Sequence, residues 1–321
     1  MLKLNTLSGF GSGVSGGGGP GGYFMGYYGT VVDKMVFSTE VTSLSATATL
    51  ATTTGFATPN LSDKTLACYL LGGGEPSIDT GQKLTFASDT TANVAAADLS
   101  QDRRMLGSVS DGTYGWMAGG YSNTPSPAAY MTTGDKITFS TDTTSASAST
   151  DLSTAAGSPG SVSEGSTHGY LLGGYTSADG GTRLDTGRKI TFSNDTTALC
   201  AAADLSRSVN SPRGLSDQST NGYMMGGQSD AEIHSETDKI VFSTDTASNC
   251  ATADLATGGK TQGGSFSNAG TYGYHAAGEA AAGGTTRACD RLVYATDTTA
   301  ALASGDISGN RRPDGASAVA I

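Results

Sequence analysis

The chain has 321 residues, 47 of them Gly, with 18 Lys and Arg against 29 Asp and Glu and a formal charge of −11 at pH 7. Cations this few, never clustered beyond a pair, exclude a sequence-independent grip on a nucleic-acid backbone. No apolar run approaches the ~20 residues of a membrane helix, so no membrane insertion is expected.

Residues 1–21 come first and stand outside any repeat. MLKLNTLSGFGSGVSGGGGPGG has one Lys, no continuous apolar core and no cleavage site behind one, so it does not read as a secretory signal and synthesis in a cytoplasm is expected. Leu2, Leu4, Leu7 and Phe10 place a short apolar tip on a Gly-rich, flexible tether. The segment is expected to be an assembly arm that docks on the exposed strand edge of a neighbouring subunit, the alternative being a free terminus.

From residue 22 onward one unit recurs. Its clearest mark is KITFSTDTT at Lys136, with KLTFASDTT at Lys83, KITFSNDTT at Lys189, KIVFSTDTA at Lys239, RLVYATDTT at Arg291 and a worn KMVFSTEVT at Lys34. The motif aromatics Phe37, Phe86, Phe139, Phe192, Phe242 and Tyr294 are separated by 49, 53, 53, 50 and 52 residues. Scarce helix formers, and Thr, Val, Ile, Tyr and Phe in short runs between Gly-rich turns, make each unit a set of strands. Four are predicted: a (GSVSDG at Gly107), b (GYLLGG at Gly169), c (KITFS) and d, ending at an Asp-Leu pair such as Asp98-Leu99. Four strands in some 50 residues, six times over, predict an all-β, six-bladed β-propeller. Blade 2 is 57–99, blade 3 is 104–152, blade 4 is 158–205, blade 5 is 212–255 and blade 6 is 262–307. Blade 1 combines 22–53 with 315–321, whose pattern is that of strand a, so that the C-terminal strand completes the N-terminal blade and closes the ring.

Spacing separates scaffold from contact surface. From the strand c aromatic to the Leu or Ile after strand d the distance is 13 in all six copies, whereas from the strand b aromatic to the strand c aromatic it is 14, 17, 23, 22, 19 and 20. In an up-and-down blade the b–c loops share one face, and variable loops on a rigid scaffold tend to carry function. Tyr121, Asn123, Tyr130, Tyr175, Asp179, Arg183 and His234 are the candidate contact residues there.

The regular side chains have structural readings. Asp89, Asp142, Asp195, Asp245 and Asp297 occupy the c–d turn, where Asp and Thr are expected to bond to the turn's own backbone. A calcium site needs further carboxylates that each turn lacks. Leu99, Leu152, Leu205 and Leu255 are expected between blades, with their Asp neighbours capping a turn or pairing with Arg103, Arg104, Arg207 or Arg213. The strand b aromatics Tyr23, Tyr69, Trp116, Tyr170, Tyr223 and Tyr274 read as blade packing, not a sugar platform. Cys68, Cys200, Cys250 and Cys289 lack metal spacing and read as free, mostly buried thiols. His168, His234 and His275 fall at three different repeat positions and suggest no metal site or triad. The Gly clusters lack the helix and Lys-Ser/Thr pair of a phosphate loop. No catalytic residue, cofactor or metal is assigned.

The hydrophobic-hydrophobic-Gly-Gly element ending strand b, the Arg just before strand a (Arg104, Arg213, Arg312) and the period near 50 resemble kelch repeats over residues 22–321. The Trp that family carries near strand d is absent, and the single Trp, Trp116, stands in strand b. In its place, F-S-x-D-T-T and the Asp-Leu pairs are similar to kelch-like repeats of bacteriophage structural proteins, where Gly-rich N-termini such as LNTLSGFGSG also occur. The resemblance implies a non-enzymatic assembly or adhesion protein of a virion, associated with tail or capsid, with its arm on a neighbouring subunit. Its partners would be other copies, other virion proteins or a host-surface glycan, with no nucleic acid. The alternatives are a subunit of an extracellular or surface filament joined by strand exchange, and a glycan-binding or glycan-cleaving propeller.

Overall fold

The computed structural model describes residues 21–26, 29–53, 60–124, 128–176, 181–230, 232–268, 270–310 and 315–319, with backbone alone for 60 and 315–319. The arm residues Leu2, Leu4, Leu7 and Phe10, and Asp179 of the variable face, lie outside these.

The chain is an all-β propeller of six small antiparallel sheets. Blade 2 shows the plan in its order a to d: Asn60–Ser62, Ala67–Gly73, Ile78–Thr85 and Thr90–Asn93. Blade 3 inserts a two-residue ribbon, Tyr121–Ser122 with Ala129–Tyr130, into its b–c connection. In blade 6, Lys260–Thr261 adds a short pairing at the far end of strand b, Tyr272–Ala280. Blade 1 takes its strand a from the C-terminal Gly315–Val319, paired with Gly21–Met25 through Gly22↔Val319 and Tyr23↔Ala318.

Strand d departs from the sequence-based expectation. It does not run to the Asp-Leu pair. In blades 2 to 6 it stops after four residues, and a 3₁₀ turn such as Ala95–Ala97 or Ala201–Ala203 intervenes before Asp98 or Asp204. The small residues of that turn fit beside strand c of the same blade: a Cβ on Gly81 or Gly187 would come within 2.8 Å of the backbone of Ala97 or Ala203. Only the worn first copy keeps one strand, Val41–Thr49.

The core is divided into six clusters, each between two blades. Leu61, Tyr69, Leu71 and Leu99 of blade 2 pack with Leu106, Met117, Ile137 and Phe139 of blade 3. Phe24, Met35 and Phe37 of blade 1 pack with Phe266, Tyr274, Cys289 and Ile307 of blade 6. The Leu or Ile following each Asp is buried, as expected for a residue between blades. The four Cys are free thiols, with Cys68 and Cys289 buried and Cys200 and Cys250 half-buried.

The Gly pair ending strand b lets one blade approach the next loop. Gly119 has φ +71°, and a Cβ there would strike the Ala156 carbonyl and Leu152. Gly258 also has positive φ, +90°, but faces open space. Gly258→Ala therefore carries only the left-handed backbone penalty, about 1–2 kcal/mol. Gly119→Ala adds a clash and is expected to cost at least about 2 kcal/mol more. Thermal melts of the two variants check this, at about 2–4 °C per kcal/mol for a domain of this size.

Candidate functional site

The repeated acid is not a turn-bound Asx residue. Glu40, Asp89, Asp142, Asp195, Asp245 and Asp297 all have φ between +51° and +59°. This left-handed conformation closes the c–d hairpin and is one that Asp adopts more readily than most residues other than Gly. The flanking hydroxyls do tie the turn, as in Thr141 Oγ1 to Thr143 Oγ1 at 2.6 Å. The carboxylate itself leaves its own blade. Asp142 accepts both Lys83 Nζ, at 2.8 Å, and the Tyr69 hydroxyl of blade 2. The same geometry recurs from Lys34 and Tyr23 to Asp89, from Lys136 and Trp116 to Asp195, from Lys189 and Tyr170 to Asp245, and from Lys239 and Tyr223 to Asp297. Between blades 6 and 1 both ions change together: Arg291 Nη1 meets Glu40 Oε2 at 2.7 Å, and the Tyr274 hydroxyl donates to Glu40 Oε1 at 2.8 Å.

Other positions of the motif serve the same contact. Phe139 stacks on Tyr69 with ring centres 5.2 Å apart, and Phe192 stacks on Trp116 at 4.3 Å. Lys83 also lies over the Tyr69 ring, a cation–π contact at 5.5 Å. The final Thr reaches back: Thr144, Thr197 and Thr299 donate to Ala97, Thr150 and Ala253 carbonyls of the preceding blade at 2.9–3.0 Å. In blade 5 that residue is Ala247, which has no hydroxyl.

Asx chemistry belongs instead to the a–b turn. Asp63 Oδ1 accepts the backbone N–H of Thr65, Leu66 and Ala67, and Asp217 Oδ1 accepts those of Ser219, Thr220 and Asn221. The Asp of each Asp-Leu pair caps backbone: Asp98, Asp151, Asp204, Asp254 and Asp306 accept N–H groups of their own strand c at 2.7–3.0 Å. Among the described residues Asp306 alone also meets an Arg, Arg287 of the same strand, at 3.6 Å. Arg103 is fully buried against Asp135, Arg207 approaches Asp238 at 3.9 Å, and Arg104 pairs with Glu75.

On the variable face, five of the seven predicted contact residues come together. Tyr121 and Tyr130 meet edge to face at 5.2 Å, and Tyr130 lies nearly parallel to Tyr175 at 6.3 Å. Arg183 covers the Tyr175 ring at 5.0 Å and pairs with Asp230. Arg104 mirrors it over Tyr121 at 5.1 Å and pairs with Glu75. Asn123 joins at that end: its Oδ1 accepts the Ser77 N–H at 2.7 Å and its Nδ2 donates to Glu75 at 3.1 Å. The result is an arc of three half-buried tyrosines between two Arg–carboxylate pairs, across blades 2 to 5. Burial, with Tyr175 and Tyr121 alongside, pushes the Tyr130 phenol up to about 12. His234 does not belong to this surface. It is 8 % exposed, with Nδ1 3.3 Å from Glu236. Glu75 and Asp230 are members that spacing alone could not single out, because each lies in a loop of its own length.

No protein-family model matches the sequence, and no curated protein matches it.

Asp142→Ala would leave Lys83 and the Tyr69 hydroxyl without their acceptor. Both ions are about one-quarter exposed, so water recovers part of the loss, and about 1–2 kcal/mol of stability is expected to go, measurable as a fall in Tm. Burial raises the Asp142, Asp245 and Asp297 carboxyls, but hydrogen bonds from Lys and Tyr outweigh it and the net shift is downward. Their contribution is therefore complete above the ordinary carboxylate pKa of ~4 and is lost as pH falls below it. Tm should hold from neutral pH to about 5 and then drop, with a shallower drop in the triple Ala variant. For the last interface, a double-mutant cycle of Glu40→Ala and Arg291→Ala should give a coupling of about 1 kcal/mol. A coupling near zero would mean that the pair does not hold blades 6 and 1 together.

Proposed function

We propose that the chain is a non-enzymatic structural and adhesion module of a virion, built as a kelch-like propeller similar to those of bacteriophage particles. It works by presenting the b–c face to a partner, either other particle proteins or further copies of itself. The observation that carries this is the division of labour between the two faces. The repeated acids, which a catalytic propeller would need free, are occupied by Lys and aromatic donors between blades. The opposite face holds the non-repeating Tyr and Arg residues, the types enriched at binding hot spots, with rings and guanidinium groups already fixed by one another.

The Gly-rich segment 1–21 is the proposed anchor, with the outer strand d edges as its acceptor. Val41 and Leu44 of blade 1 and Leu199 of blade 4 are exposed apolar side chains on those edges and could seat the apolar tip of an arm. Glycan binding is the second reading. It is favoured by the same tyrosine arc, whose rings and hydroxyls suit a sugar surface.

Removing residues 1–21 is expected to abolish self-assembly or particle association, followed by light scattering on purified protein, while leaving the melting transition in place. Tyr130→Ala is expected to weaken partner or glycan binding at least tenfold with assembly intact. An unchanged oligomer after truncation, or turnover of a glycan panel by the ring, would overturn the proposal.

A further inference from the structure

A second feature lies on the propeller axis. The inner strands a of neighbouring blades stand side by side there, and their serines join them. The Ser108 N–H donates to Ser161 Oγ and the Ser110 N–H to Ser163 Oγ, each at 3.1 Å, while Ser216 Oγ donates to the Ser163 carbonyl at 2.7 Å and Ser265 Oγ to the Gly214 carbonyl at 2.9 Å. Together they wall a cavity of about 190 Å³. That is room for roughly six waters at ~30 Å³ each, enough for one tetrahedral oxyanion with part of its hydration shell.

The lining is unusual for a chain of charge −11: it includes Lys64 and Arg213 and, among the described residues, no carboxylate. Lys64 is the telling member. It sits at the turn position where blades 3 and 4 have Gly112 and Gly165 and blade 5 has Gln218, and all four have positive φ, +67° at Lys64 and +63° at Gln218. A non-Gly residue held in that conformation is strained where Gly would not be, and both Lys64 and Gln218 line the cavity, Lys64 being the one that brings a charge. The stem passes Gly112, and Nζ donates to the Gly165 carbonyl at 3.0 Å, so the side chain crosses the cavity mouth from blade 2 to blade 4. Burial lowers its pKa, with Asp111 acting in the opposite direction.

The ammonium thus has hydrogens to spare at the cavity that Ser163 also lines. The hydroxyls of Ser161 and Ser163 accept backbone N–H groups but donate to no acceptor among the described residues. Ammonium and hydroxyl donors around a cavity with no carboxylate among its described lining residues match the charge and the several acceptor oxygens of a phosphate group. We propose that the axial cavity binds a phosphate group, free or as a small phosphomonoester, through Lys64, Ser161 and Ser163, with Arg213 supplying a second positive charge in the wall.

The test uses the full chain and titrates inorganic phosphate, with phosphoserine as the monoester probe, followed by ³¹P line broadening and by Tm against sodium chloride at equal ionic strength. Saturable, one-to-one binding is expected, from phosphate alone if the ligand is the free ion and from both probes if it is a monoester. Lys64→Gly restores the residue type found in blades 3 and 4, so it should fold with Tm in chloride equal to or above that of the parent. It should lose at least tenfold in affinity, Ser163→Ala several-fold, and Lys64→Arg should retain binding. Equal Tm shifts in chloride and phosphate, or undiminished binding by Lys64→Gly, would overturn the proposal.

Discussion

A propeller blade buries neither face of its sheet by itself, so each blade is stable only against its neighbours. The interaction that fixes the neighbours here is one carboxylate per blade, gripped by the Lys and the strand b aromatic of the preceding blade. Stacked rings lie directly beneath it, so the charged contact and the apolar cluster set the same register. The aromatic hydroxyl or indole N–H that would otherwise be buried without an acceptor finds one in the same carboxylate. A second contact joins the same pair of blades. The acid just before the motif Lys, such as Asp135, Asp238 or Asp290, is buried and accepts an N–H from the loop that follows the preceding blade's Asp-Leu pair. Blade 4 carries Arg188 at that position, where its Nε finds no partner among the described residues.

Much of this was legible in the sequence. The period, the blade number and the fixed c–d spacing follow from aligning the motif aromatics, because a structural unit that must meet an identical neighbour tolerates little change in length. What the motif Asp does was not legible. Asp and Thr in a tight turn have a local explanation, and only the fold shows that the carboxylate points at a Lys of another blade, 59 residues away for Asp142 and Asp195. One signal was available. Glu replaces Asp in the first copy only, and Arg replaces the motif Lys in the last copy only. Two exceptions at the two ends of the chain are what a contact between those ends would produce, and the structure places them at 2.7 Å.

The 3₁₀ turn before each Asp-Leu pair is hidden for a different reason. Ala-rich stretches such as NVAAADL and LCAAADL carry no alternation that distinguishes strand from turn, and the next clear anchor is the Asp-Leu pair itself. His234 shows that a place in a variable loop is not exposure, because the loop folds that ring inward. The tyrosine arc shows the converse. Tyr121 and Tyr130 are partners in the ribbon of blade 3, but Tyr175 belongs to blade 4, and only the closing of consecutive b–c loops over the same face brings it within stacking distance of Tyr130.

The inter-blade contact also explains where variation is permitted. On the c–d face a change of length would pull a carboxylate away from both of its donors and an aromatic from its stack, so six copies keep one spacing. The b–c loops carry none of these repeated contacts between blades, and an insertion there leaves the ring intact. Residues added on that side can therefore pair with one another, as Arg183 does with Asp230 and Arg104 with Glu75, without straining the blades beneath. The inner strands obey a third rule. Side chains there meet at the axis, where Ser joins adjacent blades through backbone hydrogen bonds while keeping a polar wall, and a larger residue must lie across the mouth, as Lys64 does. Rim, face and axis thus answer to different constraints, which is why a single repeated sequence holds positions that never change type beside positions that never repeat.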